Sequence, residues 1–242
     1  LTLIDYNYFC KIDLFEMLIK RWNNKDSVKE CPNITAAINR FNVMSYWVQY
    51  IILHQNNEDC RHNLLQKFIT IANYCLEYRN YNSAHVIYSA LLRFYTNGLW
   101  RTVLSASQNF NKMQKVFDGE TFTQTMDKEY RTCKEPTVPS IPYLTRVFFR
   151  LQDNVSFFAK FDGNERYLKY YNLTQIADVC KMVRQFQKLP IKFKKSDSIY
   201  YFLKRDFKAN VEIDLEGELV DDIIRDKITE VKTYHEIAAF LQ

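Results

Sequence analysis

The chain contains 242 residues, which suits one large domain or two small ones. Hydrophobic residues make up 47% and charged residues 25%, so the composition supports a sizeable core and excludes a disordered chain. Four glycines and five prolines are too few for the frequent turns of a sheet-rich fold, and this scarcity predicts an all-α protein.

The net charge of +5 is mild and spread along the chain, which argues against nucleic acid as a partner. The densest basic cluster, Lys192, Lys194 and Lys195, is too short to require a phosphate ligand and is typical of a solvated loop. The six cysteines form no CxxC pair, a pattern typical of reduced thiols in a cytoplasmic protein. The sequence begins with Leu-Thr-Leu, without a secretory signal, and we expect it to be a fragment of a larger protein.

Apolar periodicity predicts the helices in chain order. They cover approximately residues 5–22, 33–52, 61–78, 83–94, 99–109, 111–117, 121–134, 165–188, 199–207 and 218–232. The first places Ile12 and Phe15 on one face. Asn33 is the predicted N-cap of the second helix, and Asn82 or Ser83 that of the fourth.

Prolines at positions 136, 139 and 142 predict a stiff extended segment, because proline disrupts a helix interior. A further helix opens after Pro142. Its wheel places the core face at Leu144, Val147, Phe148, Leu151, Val155 and Phe158. Phe149 and Phe157 fall on the opposite, polar face. They predict a second packing partner, which is either another helix of the same fold or another protein.

The sequence lacks the motifs of several kinds of chemistry. It contains no GxxxxGK[ST], GxGxxG or GxSxG pattern. His235 and Glu236 begin an HExxH pattern, but Ala239 occupies the position of the second ligand. We therefore expect no metal, no cofactor and no covalent catalysis.

Five stretches, in order and at matching spacing, resemble the catalytic domain of Ras-family guanine-nucleotide exchange factors such as Son of sevenless. The resemblance covers nearly the whole chain. The stretches are residues 33–48 (NITAAINRFNVMSYWV), Arg61 with residues 67–72 (KFITIA), residues 80–83 (NYNS, like the family's NFNS), residues 139–144 (PSIPYL, like PCIPYLG) and residues 184–187 (RQFQ).

This resemblance implies that residues 1–242 form one RasGEF-like domain, an all-α bowl with a protruding helical hairpin at about residues 142–188. In such domains one helix of the hairpin wedges between the switch regions of a small GTPase and obstructs the phosphate and Mg²⁺ sites. Bound nucleotide then leaves without any covalent change. The implied partner is a GTPase of the Ras, Rap or Ral type, bound by a monomeric domain that does not insert into the membrane itself. Recruitment to membranes is expected through other parts of the full-length protein.

The resemblance also implies which residues act. The wedge positions fall at Gln152 and Ser156, with Asp153 as the nearest acid. A platform for the second switch includes Asn80, Asn82 and Tyr143, and a groove helix offers Thr35, Asn39 and Asn42. Phe149 and Phe157 join this GTPase-binding set as the off-face aromatic residues of the hairpin.

The sequence departs from the family pattern at the tip of the hairpin. Gln152 stands where an apolar residue is common, Ser156 replaces an acid, Thr145 replaces a glycine, and Asn172 replaces a basic residue. The alternative is therefore a degenerate domain that keeps the fold as a protein-binding scaffold without exchange activity. An unrelated helical adaptor would require all five stretches to be coincidental.

Overall fold

The computed structural model describes residues 1–119, 121–153, 158–161, 165–168, 170–209, 228–229 and 231–232. Helices dominate these residues, which confirms the predicted all-α class, and one short pair of strands interrupts them. The elements are α1 (Thr2–Lys11), α2 (Leu14–Ile19), α3 (Ser27–Glu30), α4 (Pro32–Leu53), α5 (Glu58–Glu77), α6 (Tyr81–Thr96), α7 (Arg101–Ala106), α8 (Gln108–Phe117), α9 (Phe122–Thr132), α10 (Ile141–Asp153), β1 (Phe158–Phe161), β2 (Glu165–Leu168), α11 (Tyr170–Lys188) and α12 (Asp197–Ala209). None of the helices in the described ranges is long and apolar enough to cross a bilayer.

The central element is α6, which packs against α4, α5 and α8. Every side chain of residues 81–88 is buried, as are Ala90, Leu91 and Phe94 further along. Burial on all sides places α6 at the centre of the fold, because a conventional surface helix buries one stripe. Its buried polar residues Asn82, Ser83 and His85 therefore need hydrogen-bond partners inside the protein. Buried apolar residues of the surrounding helices form one cluster with those of α6, so the core lies around this element.

The stretch predicted as one helix at residues 5–22 is two helices, so that prediction was wrong in detail. The chain breaks between α1 and α2, where the Asp13 side chain accepts a hydrogen bond from the Phe15 backbone N–H at 2.9 Å and caps α2. The break rotates α2 relative to the first periodic stripe. Met17 is consequently buried, whereas Phe15, predicted on the apolar face, is 66% exposed.

The start of α4 is capped by a carboxylate from another helix. Glu16 on α2 is buried and accepts hydrogen bonds from the backbone N–H groups of Asn33 at 3.0 Å and Ile34 at 2.8 Å. The predicted N-cap, Asn33, lies inside the first turn, and Cys31 occupies the N-cap position. A negative charge at a helix N-terminus satisfies unpaired donors and interacts favourably with the helix dipole.

The N-cap of α6 is Asn80, so the prediction of Asn82 or Ser83 was wrong. The Asn80 side-chain carbonyl accepts from the Ser83 backbone N–H at 3.1 Å. The preceding Arg79 adopts a left-handed conformation with φ 56°, which turns the chain sharply out of α5. The helix therefore begins earlier than the apolar stripe alone indicated.

The predicted helix after Pro142 was too long, and the following one was predicted to begin too early. Phe158 lies in β1 and Glu165 in β2, and the two strands pair antiparallel. Aromatic residues in both strands favour extended structure, and Asp162-Gly163 in the sequence between them is a signal of a β-hairpin, which the sequence analysis had interpreted as a turn between two helices. Val155 lies outside the described residues, as do residues 162–164, where the sequence also predicts a turn. So does most of the helix predicted at residues 218–232, of which residues 228–229 and 231–232 are helical.

Candidate functional site

The proline-rich segment before α10 is held against the start of α6. The Val138 backbone N–H donates to the Arg79 carbonyl at 3.0 Å, and the Val138 carbonyl accepts from the Tyr81 N–H at 3.0 Å. Prolines at 136 and 139 restrict the backbone on either side of this contact. The approach of the chain to α10 is therefore fixed by stiffness and by two hydrogen bonds to one neighbour.

Buried polar groups from two helices hold the first turn of α10. The Ile141 N–H donates to the Asn82 side-chain oxygen at 3.2 Å, and the Ser140 N–H donates to the Tyr130 hydroxyl at 3.1 Å. The Ser140 hydroxyl lies 2.7 Å from Nδ1 of His85. These contacts satisfy donors that the N-terminus of a helix otherwise leaves unpaired. Asn82, predicted to bind a GTPase, thus has a structural role at this helix start.

His85 sits in an aromatic enclosure beneath this turn. Its ring stacks on Phe117 with centroids 4.6 Å apart and meets Phe41 edge-on at 5.5 Å. Burial, together with the nearby Arg146 cation, lowers the pKa of His85 to about 3. The imidazole is therefore neutral at physiological pH and serves as a fixed hydrogen-bonding partner for Ser140.

The side of α10 is tied to α9 through one carboxylate. The Tyr143 hydroxyl donates to Asp127 Oδ1 at 2.5 Å, and Arg150 Nη2 lies 3.3 Å from Asp127 Oδ2. Burial and the Asp127 contact raise the pKa of Tyr143, so its phenol stays protonated as a donor. Tyr143, predicted as a GTPase contact, is buried at this junction.

Phe149 is packed within the fold. Its ring meets Trp22 edge-on with centroids 5.3 Å apart, and Lys20 Nζ lies 5.0 Å from the ring centroid. The sequence left open whether Phe149 packs against another part of the same fold or against another protein. The structure shows a packing partner within the same chain, Trp22. Phe157, its companion in that prediction, lies outside the described residues.

Asn80 is completely buried at the centre of a polar network. Its amide donates to Asp5 Oδ2 at 3.1 Å and to Thr2 Oγ1 at 3.2 Å. Asp5 also accepts from the Ser83 hydroxyl and pairs with Arg40 Nε at 3.2 Å. This network joins α1, α4 and α6, so Asn80 acts as a structural link in the free chain.

The predicted groove residues on α4 differ in exposure. Thr35 is buried, and its hydroxyl donates to the Ser27 carbonyl at 3.3 Å. Asn39 and Asn42 are exposed, on a helix that also packs against α10. Among the predicted residues whose side chains the structure describes, these two asparagines are exposed, Phe149 is partly buried and the others are buried.

The predicted wedge lies at the far end of α10. Gln152 and Asp153 form its last turn, but their side chains, like the whole of Ser156, fall outside the described residues. The helix therefore runs from a firmly held base toward the predicted tip, and α11 packs alongside it.

Sequence reasoning missed the carboxylates that hold these elements together. Asp5, Glu16 and Asp127 each contact groups far along the chain, with separations of up to 78 residues. No local motif signals such contacts, because the partners meet only after the helices have packed. For Asp5 and Glu16, isolation within an apolar stretch was the one available hint, since a carboxylate in such a position needs a polar partner.

The fold and site together define a predominantly helical domain in which buried contacts anchor the base of α10. The sequence profile of the RasGEF domain matches residues 1–176, and the chain belongs to this family. The matched region includes α10 and ends within α11.

Curated relatives agree with this assignment. The chain is 32% identical to Ras guanine nucleotide exchange factor R of Dictyostelium discoideum over 77% of its length. It is 30% identical to human Rap guanine nucleotide exchange factor 1 over 98% of its length, and 26% identical to mouse Ras-specific guanine nucleotide-releasing factor 2 over 84%. The aligned regions span 10%, 21% and 17% of those proteins, respectively.

Proposed function

We propose that this chain is a guanine-nucleotide exchange factor for a Ras-like small GTPase. Membership of the RasGEF family supports this proposal, as do relatives named as exchange factors for Ras and for Rap. In this proposal residues 1–242 act as one domain whose hairpin, at about residues 142–188, inserts between the switch regions of the GTPase. Nucleotide leaves because its site is deformed, and no covalent bond changes.

The fixed base of α10 is the structural observation that most strongly supports the proposal. A helix used as a wedge must keep its position while the partner deforms, so its own supports must be stiffer than the switch regions it displaces. Asn82, His85 and Tyr130 hold its first turn, and Asp127 holds its side. Leu144 and Phe148 on its core face are fully buried. Closely packed interiors resist displacement, which suits this role.

Nucleotide exchange of this kind depends on a difference in affinity for two states of the GTPase. A protein that binds the nucleotide-free GTPase more tightly than the nucleotide-bound form must weaken nucleotide binding by the same factor, because the two equilibria are linked. Incoming nucleotide then displaces the exchange factor in turn. The proposal therefore requires a contact surface and a rigid arm, and it requires neither an acid–base group nor a metal.

We assign two kinds of role to the predicted residues. Asn39 and Asn42 contact the GTPase directly, and Gln152, Asp153 and Ser156 form the tip that enters it. The buried residues of the set, Thr35, Asn80, Asn82 and Tyr143, act by positioning α4, α6 and α10. Phe149 steadies α10 against Trp22.

Release of fluorescent GDP from Ras, Rap and Ral proteins, with and without the chain, tests the proposal. We expect acceleration with at least one of them. The double variant Asn39→Ala with Asn42→Ala should slow this release about tenfold, because each lost polar contact is worth roughly 0.5–1.5 kcal/mol.

Asn63→Ala with Asn109→Ala is the matched control, since both of these asparagines are exposed on other helices. It should leave the rate unchanged. No acceleration with any of the three GTPases would exclude exchange activity toward them and favour the scaffold alternative.

A further inference from the structure

A surface formed by the segment after α11 and by α12 combines exposed apolar side chains with lysines. We call it the basic–aromatic patch. Its members are Lys192, Phe193, Lys194, Ile199, Tyr201, Phe202 and Lys204. Ile199, Tyr201 and Phe202 are each more than half exposed, at 59%, 58% and 53%, and Phe193 is 42% exposed. Adjacent large apolar side chains that remain this exposed indicate an interaction surface rather than ordinary surface variation.

The patch has a defined inner support. Tyr200 and Leu203, on the inner side of α12, line a cavity with the first residues of α1. The Phe193 ring meets Tyr78 edge-on with centroids 5.2 Å apart, which fixes the preceding segment against the end of α5. The inner side of α12 therefore faces the body of the domain, and Tyr201 and Phe202 face outward.

The charge of the patch is positive. Lys195 forms an ion pair with Asp197 at 2.7 Å and is locally compensated. Within the described part of the chain, no carboxylate lies within 4.0 Å of the ammonium groups of Lys192, Lys194 or Lys204. Among the described residues these three lysines therefore have no carboxylate partner, and they flank the exposed apolar side chains along the chain; Lys192 also lines a depression with Glu77 and Glu135.

We propose that the basic–aromatic patch docks on the surface of an anionic phospholipid membrane. Aromatic side chains prefer the headgroup level of a bilayer, and an amphipathic helix that carries lysines can lie in the plane of that interface. Lysines close to the surface are attracted by anionic headgroups. This combination suits a charged interface better than an acidic protein, because the Tyr201 and Phe202 rings are more than half exposed and lie outside the cavity that Phe193 and Ile199 line. The docking is peripheral, so it adds a contact made by this domain to the recruitment that the sequence assigned to other parts of the protein.

Co-sedimentation of the 242-residue chain with vesicles tests the proposal. Vesicles of phosphatidylcholine with 30% phosphatidylserine should retain the chain, and pure phosphatidylcholine vesicles should not. The fraction of the chain that sediments with the anionic vesicles should fall as the salt concentration increases, because salt screens the attraction between the lysines and the anionic headgroups. The variant Lys192→Glu with Lys194→Glu should lower the partition coefficient at least 25-fold, since each lysine contributes roughly fivefold. Phe202→Ser should lower it several-fold at unchanged charge.

Two control variants separate a local site from general attraction of a cationic protein. Lys29→Glu with Lys128→Glu makes the same change in net charge at exposed lysines elsewhere, and Phe15→Ser removes another phenyl ring that is more than half exposed. Both controls should retain most of the binding. Equal losses in the controls and the patch variants would overturn the assignment, as would failure of the unaltered chain to bind anionic vesicles. Circular dichroism confirms that each variant is folded before it is compared.

Discussion

Replacing Asn80 with alanine should destabilise the domain, because this side chain supports both a helix start and a buried charge. Its carbonyl caps α6 at the Ser83 N–H, and its amide donates to Asp5 at 3.1 Å and to Thr2 at 3.2 Å. Asp5 is itself buried and also pairs with Arg40. Alanine removes the cap and leaves the carboxylate with one donor fewer.

The loss of free energy of unfolding can be built from these parts. Removing an asparagine N-cap costs about 1 kcal/mol, and removing a buried hydrogen bond to a charged group costs about 1.5–3 kcal/mol. We therefore expect a loss of about 3 kcal/mol, which corresponds to roughly 6–12 °C in melting temperature for a chain of this size.

Urea denaturation followed by circular dichroism measures this loss. Asn39→Ala, an exposed asparagine on α4, is the control and should stay within about 0.5 kcal/mol of the unaltered chain. Nucleotide release should be measured below both melting transitions. An unchanged stability combined with slowed release would refute the structural role of Asn80 and restore it as a direct contact residue.

Three further substitutions test the supports of α4 and α10. Glu16→Ala removes the carboxylate that caps α4 and should lower the free energy of unfolding by about 2–4 kcal/mol in urea denaturation; an unchanged midpoint would contradict the cap. Tyr130→Phe leaves the buried Ser140 N–H without its acceptor and should cost about 1–3 kcal/mol, whereas a neutral result would remove Tyr130 from the base of α10. The pKa of His85 is about 3 in the folded state and about 6.5 when unfolded. Between these two pH values the unfolded chain binds a proton at His85 that the folded chain does not bind, so the free energy of unfolding decreases as the pH is lowered. From pH 7 to pH 4.5 this group should remove about 2–3 kcal/mol, and His85→Gln should abolish that component; an identical pH slope in the variant would show that His85 does not titrate this way.

The helices could be predicted from the sequence because the spacing of apolar residues within a short stretch is enough to indicate a helix. Apolar residues at helical spacing located α4, α5, α6 and α12 within a few residues of their observed bounds. The ends of the helices were predicted less accurately, because the groups that cap a helix can come from distant parts of the chain. Glu16 reaches the start of α4 from another helix, and nothing near Asn33 in the sequence signals this.

The candidate site was predicted less completely than the fold. A motif match identifies which positions belong to a family, but it does not distinguish side chains that meet a partner from side chains that hold the framework. Asn80 and Tyr143 were both expected at the contact surface, and packing buries both. Phe149 shows the same effect, because its partner Trp22 lies more than a hundred residues away in the chain. Such contacts form only when the helices assemble.

The most direct test of the proposed function is the preference of the chain for one nucleotide state of its GTPase. Size-exclusion chromatography should be run with Ras, Rap and Ral, each prepared nucleotide-free and each loaded with GDP. The proposed function predicts a stable complex with at least one nucleotide-free GTPase, which dissociates when GDP or GTP is added in excess, because nucleotide and exchange factor weaken each other's binding by the same factor. Equal binding to the nucleotide-free and GDP-loaded forms would contradict it, since a protein that binds both states equally cannot drive nucleotide release.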